Sequence, residues 1–146
     1  RAMANGIESK TVSWPKQEPP GSRRMPSNKY FAVGSWDSWG HKHEMKWTGD
    51  SFCIDVRLGA KGKESFQILE GGDWSRKLHP DTRRASPHIS HMLVGPEKDG
   101  HGLNWTIGEH PRDWSAPGHT FEVRLVIHEG RPQKVEWARV RGCEAR

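Results

Sequence analysis

The sequence predicts an all-β protein, an antiparallel immunoglobulin-like β-sandwich with an extended N-terminal arm, and three observations lead there. Apolar residues alternate with polar ones at Phe52, Ile54, Val56 and Leu58 and again at Phe121, Val123, Leu125 and Ile127, the period of a strand with one buried face. No segment carries the apolar stripe of an amphipathic helix. Sixteen glycines and ten prolines punctuate the 146 residues, so strand candidates are short and separated by turns, as in a sandwich. Leu, Ile, Val and Phe number only 24, about 16% of the chain, and the mean hydropathy is −0.91, values near the disordered range. Eight tryptophans argue against disorder, because a few large rings can supply much of a small core.

Taken in order, residues 1–29 read as an arm or linker. Their only large aliphatic or aromatic groups are Ile7, Val12 and Trp14, and residues 15–26 are rich in Pro and charge. The arm opens on Arg1 and holds no hydrophobic signal core, the expectation for a processed or excised chain. Residues 30–140 form the predicted sandwich. Tyr30 to Val33 is a short strand ended by Gly34 and the turn-rich run to Gly40. Phe52 to Leu58 is a strand, Gly59 to Gly62 a turn, and Ser65 to Leu69 a strand followed by Gly71 and Gly72. A loop rich in Arg, His and Pro comes next. Ile89 to Val94 and Asn104 to Ile107 are weaker strand candidates with a Gly-rich turn between them. Phe121 to Ile127 and Gln133 to Val140 close the domain as a hairpin around Glu129-Gly130. Residues 141–146 are a basic tail. The string Lys10-Thr11-Val12-Ser13-Trp14 resembles Lys134-Val135-Glu136-Trp137; it reads either as chance or as the last strand of a preceding module in a tandem array.

Dividing the net charge of +5 weakens its usual meaning. Residues 1–29 carry +4, residues 30–137 carry −1 and residues 138–146 carry +2. The basic excess therefore belongs to the tails, which makes nucleic acid an unlikely partner of the central body. No apolar run approaches the roughly 18 residues of a membrane-spanning helix, so no transmembrane segment is expected. Cys53 and Cys143 are too few for a disulfide scaffold and leave both their pairing and the redox compartment open; cytoplasm or plastid is favoured over secretion.

The informative constellation is Gly34-Ser35-Trp36-Asp37-Ser38-Trp39, then Phe66-Gln67 through Asp73-Trp74, then Asn104-Trp105. Trp39 and Trp74 follow turn residues at strand ends, where a large ring tends to meet solvent. An indole can cover the C–H face of a pyranose while amides bond its hydroxyl rim, so Trp39, Trp74, Gln67 and Asn104 together would make a shallow sugar platform. The alternative for the two rings is packing against the insert or a neighbouring chain, and Asn104 could serve only to cap a turn.

At these residues, over about positions 30–108, the sequence resembles the starch-binding and glycogen-binding modules, carbohydrate-binding module families 20 and 48, including the glycogen-binding domain of the AMP-activated protein kinase beta subunit. The resemblance implies a β-sandwich that binds α-glucan without catalysis or cofactor. It puts the family's sugar-stacking tryptophans on Trp39 and Trp74, its binding Asn on Asn104, a core aromatic on Trp36, and Gln67 where Lys is often found. The insert from Arg76 to Gly100 and the hairpin from Thr120 to Trp137 depart from the compact members and would reshape or cover the site. Trp47, Trp105, Trp114 and Trp137 are expected in the core, cover or hairpin.

No metal site is expected: His41, His43 and Glu44, or His88, His91 and His101 with Asp99, lack a recognised ligand spacing. Nor is an enzyme expected. Asp73, Asp81, Asp99 and Asp113 supply carboxylates by number only, and no G-x-S-x-G, H-E-x-x-H or P-loop occurs. The alternative function is a structural or interaction subunit of a larger assembly, such as a plastid or photosynthetic complex, that keeps the fold without binding sugar and meets its protein partners through the arm 1–29.

Overall fold

A computed structural model describes residues 24–140. The arm up to residue 23, the Val12–Trp14 partial repeat, Cys143 and the basic tail lie outside the described residues. Among the described residues ten strands occur in chain order: β1 (Tyr30–Gly34), β2 (His43–Glu44), β3 (Lys46–Trp47), β4 (Ser51–Arg57), β5 (Glu64–Glu70), β6 (Lys77–Pro80), β7 (Leu93–Glu97), β8 (Trp105–Ile107), β9 (Thr120–His128) and β10 (Arg131–Arg139). Two 3-10 turns, Ser35–Asp37 and Pro111–Asp113, are the only helical pieces described, and no described helix is long and apolar enough to cross a membrane.

Among the described residues the pairings between these strands are antiparallel and form two sheets, with one isolated parallel bridge from Ala85 to Trp105 of β8. The first runs β2-β1-β5-β6-β7, with β8 also paired to β5; the second runs β10-β9-β4-β3. The β9–β10 hairpin turns at Glu129-Gly130, and β4 pairs with β9 so that Phe52 faces Leu125, Ile54 faces Val123 and Val56 faces Phe121. Cross-strand partners share a face, so the two alternating stretches present one apolar surface to the other sheet. That sheet contributes Tyr30, Ala32, Phe66, Ile68, Leu78, Trp105 and Ile107 to the same core. Phe66 stacks on Trp105 with centroids 5.6 Å apart and meets Trp137 edge-on at 5.8 Å, so two of the eight tryptophans join the sheets around one phenylalanine. Burial pushes the Tyr30 phenol up to about 12, helped by the charge of Glu70.

Four expectations need correction. Lys77–Pro80 is a strand, β6, where the sequence reads as loop: Leu78 joins the core, while the side chains of Lys77 and His79 rise from the other face and mask the period. The strand expected at Ile89 to Val94 sits further on as β7, and Ile89 is exposed. β7 contains Gly95 and Pro96; it is an edge strand, where a residue without an N–H is tolerated. Gly95 has φ +114, and a Cβ there would strike the Lys77 carbonyl. The short strands β2 and β3 fall in a segment with no strand pattern. Trp114 is 81% exposed rather than core or cover, because it ends the Pro111–Asp113 turn in the left-handed conformation.

Candidate functional site

Register identifies the outer side of the first sheet, the side turned away from the core between the sheets. Phe66 and Ile68 point into the core, so Gln67 and Leu69 point outward, opposite Val33 and Phe31 on β1 and, for Leu69, opposite Lys77 on β6. Over this face lies a pocket of about 460 Å³, lined by Trp39, Gln67, Trp74, Lys77, His101, Gly102 and Asn104. All four residues singled out from the sequence are therefore brought together, from four separate parts of the chain.

Trp39 is delivered by the turn after β1. Ser38 (φ 58) and Trp39 (φ 64) are both left-handed, a conformation that costs a bulky L-residue roughly 1–2 kcal/mol. The turn is held by Trp39 N–H donating to the Gly34 carbonyl at 2.8 Å and by Gly40 N–H reaching Asp37 Oδ1 at 3.2 Å. His43 Nε2 donates to Asp37 Oδ2 at 2.9 Å, and this contact is the largest cause drawing the Asp37 carboxyl below its ordinary value. Trp36 packs against the core instead, beside Phe66 and His43.

Trp74 is delivered by the turn between β5 and β6 and is 41% exposed. The residue before it, Asp73, accepts the N–H and hydroxyl of Ser75 at 2.9 and 2.7 Å, an Asx-type arrangement that fixes the turn. Those two bonds are the main reason its carboxyl is held low.

Gln67 is buried at 3% exposure. Its Nε2 donates to the carbonyls of Gly100 and Leu103, both at 2.9 Å. Two carbonyl acceptors settle which end of the amide faces them and leave Oε1 as its remaining capacity for a ligand. Gln67 thus anchors the loop that forms one wall. The same loop is fastened by His79, which bonds Pro80 O at 2.8 Å and Glu97 Oε2 at 2.6 Å. Gly100 (φ +98) lies on the His79 ring, where a Cβ would clash. Asn104 is half-buried; its carbonyl accepts Ala85 N–H at 3.0 Å, and its side-chain amide bonds no other described residue.

Sequence reasoning missed Lys77 and His101. Lys77 lay in a stretch read as loop, and only the strand pairing of β6 places it beside Trp74. Among the described residues no group of three or more His, Cys, Asp or Glu side chains is arranged to hold a metal, and no carboxylate lines the pocket. The lining combines two indoles, two side-chain amides, a lysine and an imidazole, groups that can stack on an apolar face and hydrogen-bond a polar rim.

No family model matches the chain, and neither the curated proteins nor the solved structures yield a match.

Proposed function

We propose that this chain is a non-catalytic binding module for α-glucan, with Trp39 and Trp74 as the sugar-stacking faces and with Gln67 Oε1 and the Asn104 amide as hydroxyl partners. The observation that supports the reading is the convergence of these four residues, chosen from their sequence positions, on one open pocket. The strained backbone at Trp39 also favours a role for that ring beyond packing, since left-handed bulky residues concentrate at functional positions. A shallow site of this kind gives on the order of 5 kcal/mol, a dissociation constant of about 0.1 to 1 mM.

Titration of maltoheptaose or β-cyclodextrin, followed by tryptophan fluorescence, tests it. A saturable change is expected, reduced about tenfold or more in affinity by Trp74→Ala and abolished when Trp39 and Trp74 are both replaced by Ala. No saturable change in the parent chain, or one that survives the double replacement, removes the proposal.

A second reading, an interaction subunit of an assembly, is favoured by Trp114, whose ring is 81% exposed and outside the pocket. Under that reading Trp114→Ala, and not Trp74→Ala, disrupts self-association or assembly in sedimentation.

A further inference from the structure

The pocket carries a charge that a platform for neutral sugar does not require. Lys77 lines it from β6, His101 stands exposed at its rim, and no acidic residue is among the lining side chains. Register sets Lys77 between Leu69 of β5 and Glu97 of β7, so its side chain leaves the sheet on the same outer face as Gln67. Glu97 is the acidic neighbour this register offers, and its Oε2 is bonded to His79 Nε2 at 2.6 Å. The adjacent cation, Arg76, pairs with Glu70. Lys77 has no such pairing: among the described residues no carboxylate oxygen lies within 4.0 Å of its ammonium.

A lysine ammonium is a compact charge with three donors and no acceptor. Hydrogen bonds to an ionised acceptor are about twice as strong as neutral ones. Beside two indoles that exclude part of the water, an ammonium with no carboxylate partner therefore favours a charged acceptor over a hydroxyl. Resting on the sugar-platform reading, the geometry points to a glucan bearing an anionic group on its pyranose rim, a phosphate ester or a C6 carboxylate, as the preferred ligand, with Lys77 as the specificity-determining contact. His101 adds a second donor where such a group would project to solvent.

The test titrates three probes into the full 146-residue chain: maltoheptaose, maltoheptaose with a single 6-phosphate, and maltoheptaose with one C6 oxidised to the carboxylate. Lys77→Gln and Lys77→Arg are measured alongside. The anionic probes are expected to bind about tenfold tighter than the neutral one at low salt, about 1.4 kcal/mol. That advantage shrinks in about 0.5 M salt through screening, disappears in Lys77→Gln and returns in Lys77→Arg. The readout is the ratio of anionic to neutral affinity within each variant, so any change in neutral binding caused by Lys77→Gln is divided out. The tighter of the two anionic probes identifies whether phosphate or carboxylate is the natural group. Equal affinities for neutral and anionic probes, or an advantage that persists in Lys77→Gln, overturns the inference and leaves the sugar platform standing. Binding of none of the three overturns both.

Discussion

On the outer face of the four-stranded sheet, Arg124 of β9 sits opposite Glu136 of β10 and Cys53 of β4; on the outer face of the other sheet, Gln67 of β5 sits opposite Val33 of β1. The first face is closed by charge. Arg124, nearly buried, directs Nε to Glu136 Oε2 at 3.0 Å and engages the same carboxylate through a second guanidinium nitrogen, while Lys134 approaches the other oxygen at 3.5 Å. Burial, reinforced by the charge of Glu122, pushes the Cys53 thiol there up to about 11, which leaves it unreactive near neutrality. The second face is closed by chain: the segment from Glu97 to Leu103 folds over it and is fastened to Gln67 and His79. Around Arg124 the first face is covered by side chains of its own strands. A face sealed by a loop ends where the loop ends, and the pocket lies at that border.

Breaking the charge seal is expected to have the larger effect on stability. Glu136→Ala removes a charge-assisted pairing from a poorly exposed site and is expected to cost about 2 kcal/mol, read as a lower urea midpoint with an unchanged slope. Oligosaccharide affinity of the folded protein should stay within about twofold. A matching loss of affinity would show that the two faces are not independent. Breaking the loop seal should behave in the opposite way. Gln67→Leu deprives two carbonyls of their donor, but these belong to a loop that water can reach, so the expected cost is about 1 kcal/mol. Hydrogen exchange should quicken at residues 97–103, and affinity should fall by more than stability does. Uniform exchange across both sheets would end the idea that Gln67 acts on the pocket through this loop.

The same contrast separates what was legible in the sequence from what was not. β4 and β9 announce themselves because one of their faces meets the core and the other meets water or charge, which is the condition for clean alternation. Turn signals place Trp39 and Trp74, the spacing of the resembled motif places Gln67 and Asn104, and the structure shows that the four line one pocket. β6 was not legible, since its outer face buries His79 by hydrogen bonding, and a buried histidine looks polar in any hydropathy pattern. Lys77 was lost with it. Trp114 failed for another reason: ring size says that a tryptophan tends to be buried, but the backbone of the preceding 3-10 turn decides where it points.

The smallest expected effect concerns the two turns that hold the indoles, for each depends on one aspartate. Asp37 accepts from His43 and Gly40, and Asp73 accepts from both donors of Ser75; both carboxyls are held below the ordinary aspartate value of 3.8. A carboxyl whose folded value lies below its unfolded one contributes its stabilisation in full above the unfolded value and loses it as pH falls through the folded value. Asp73 is exposed and Asp37 only partly buried, so the consequence is local loosening of the turns rather than unfolding. The two aspartates are therefore expected to contribute no change in sugar affinity from about pH 7 to about pH 5 and to lower it only below the ordinary carboxylate range. Asp73→Asn, which keeps an acceptor oxygen for Ser75 but cannot titrate, should leave only the Asp37 step in that acid limb. An acid limb identical in Asp73→Asn and the parent chain would show that the Trp74 turn does not depend on the ionised carboxylate, and that of the two indoles only Trp39 is held by charge.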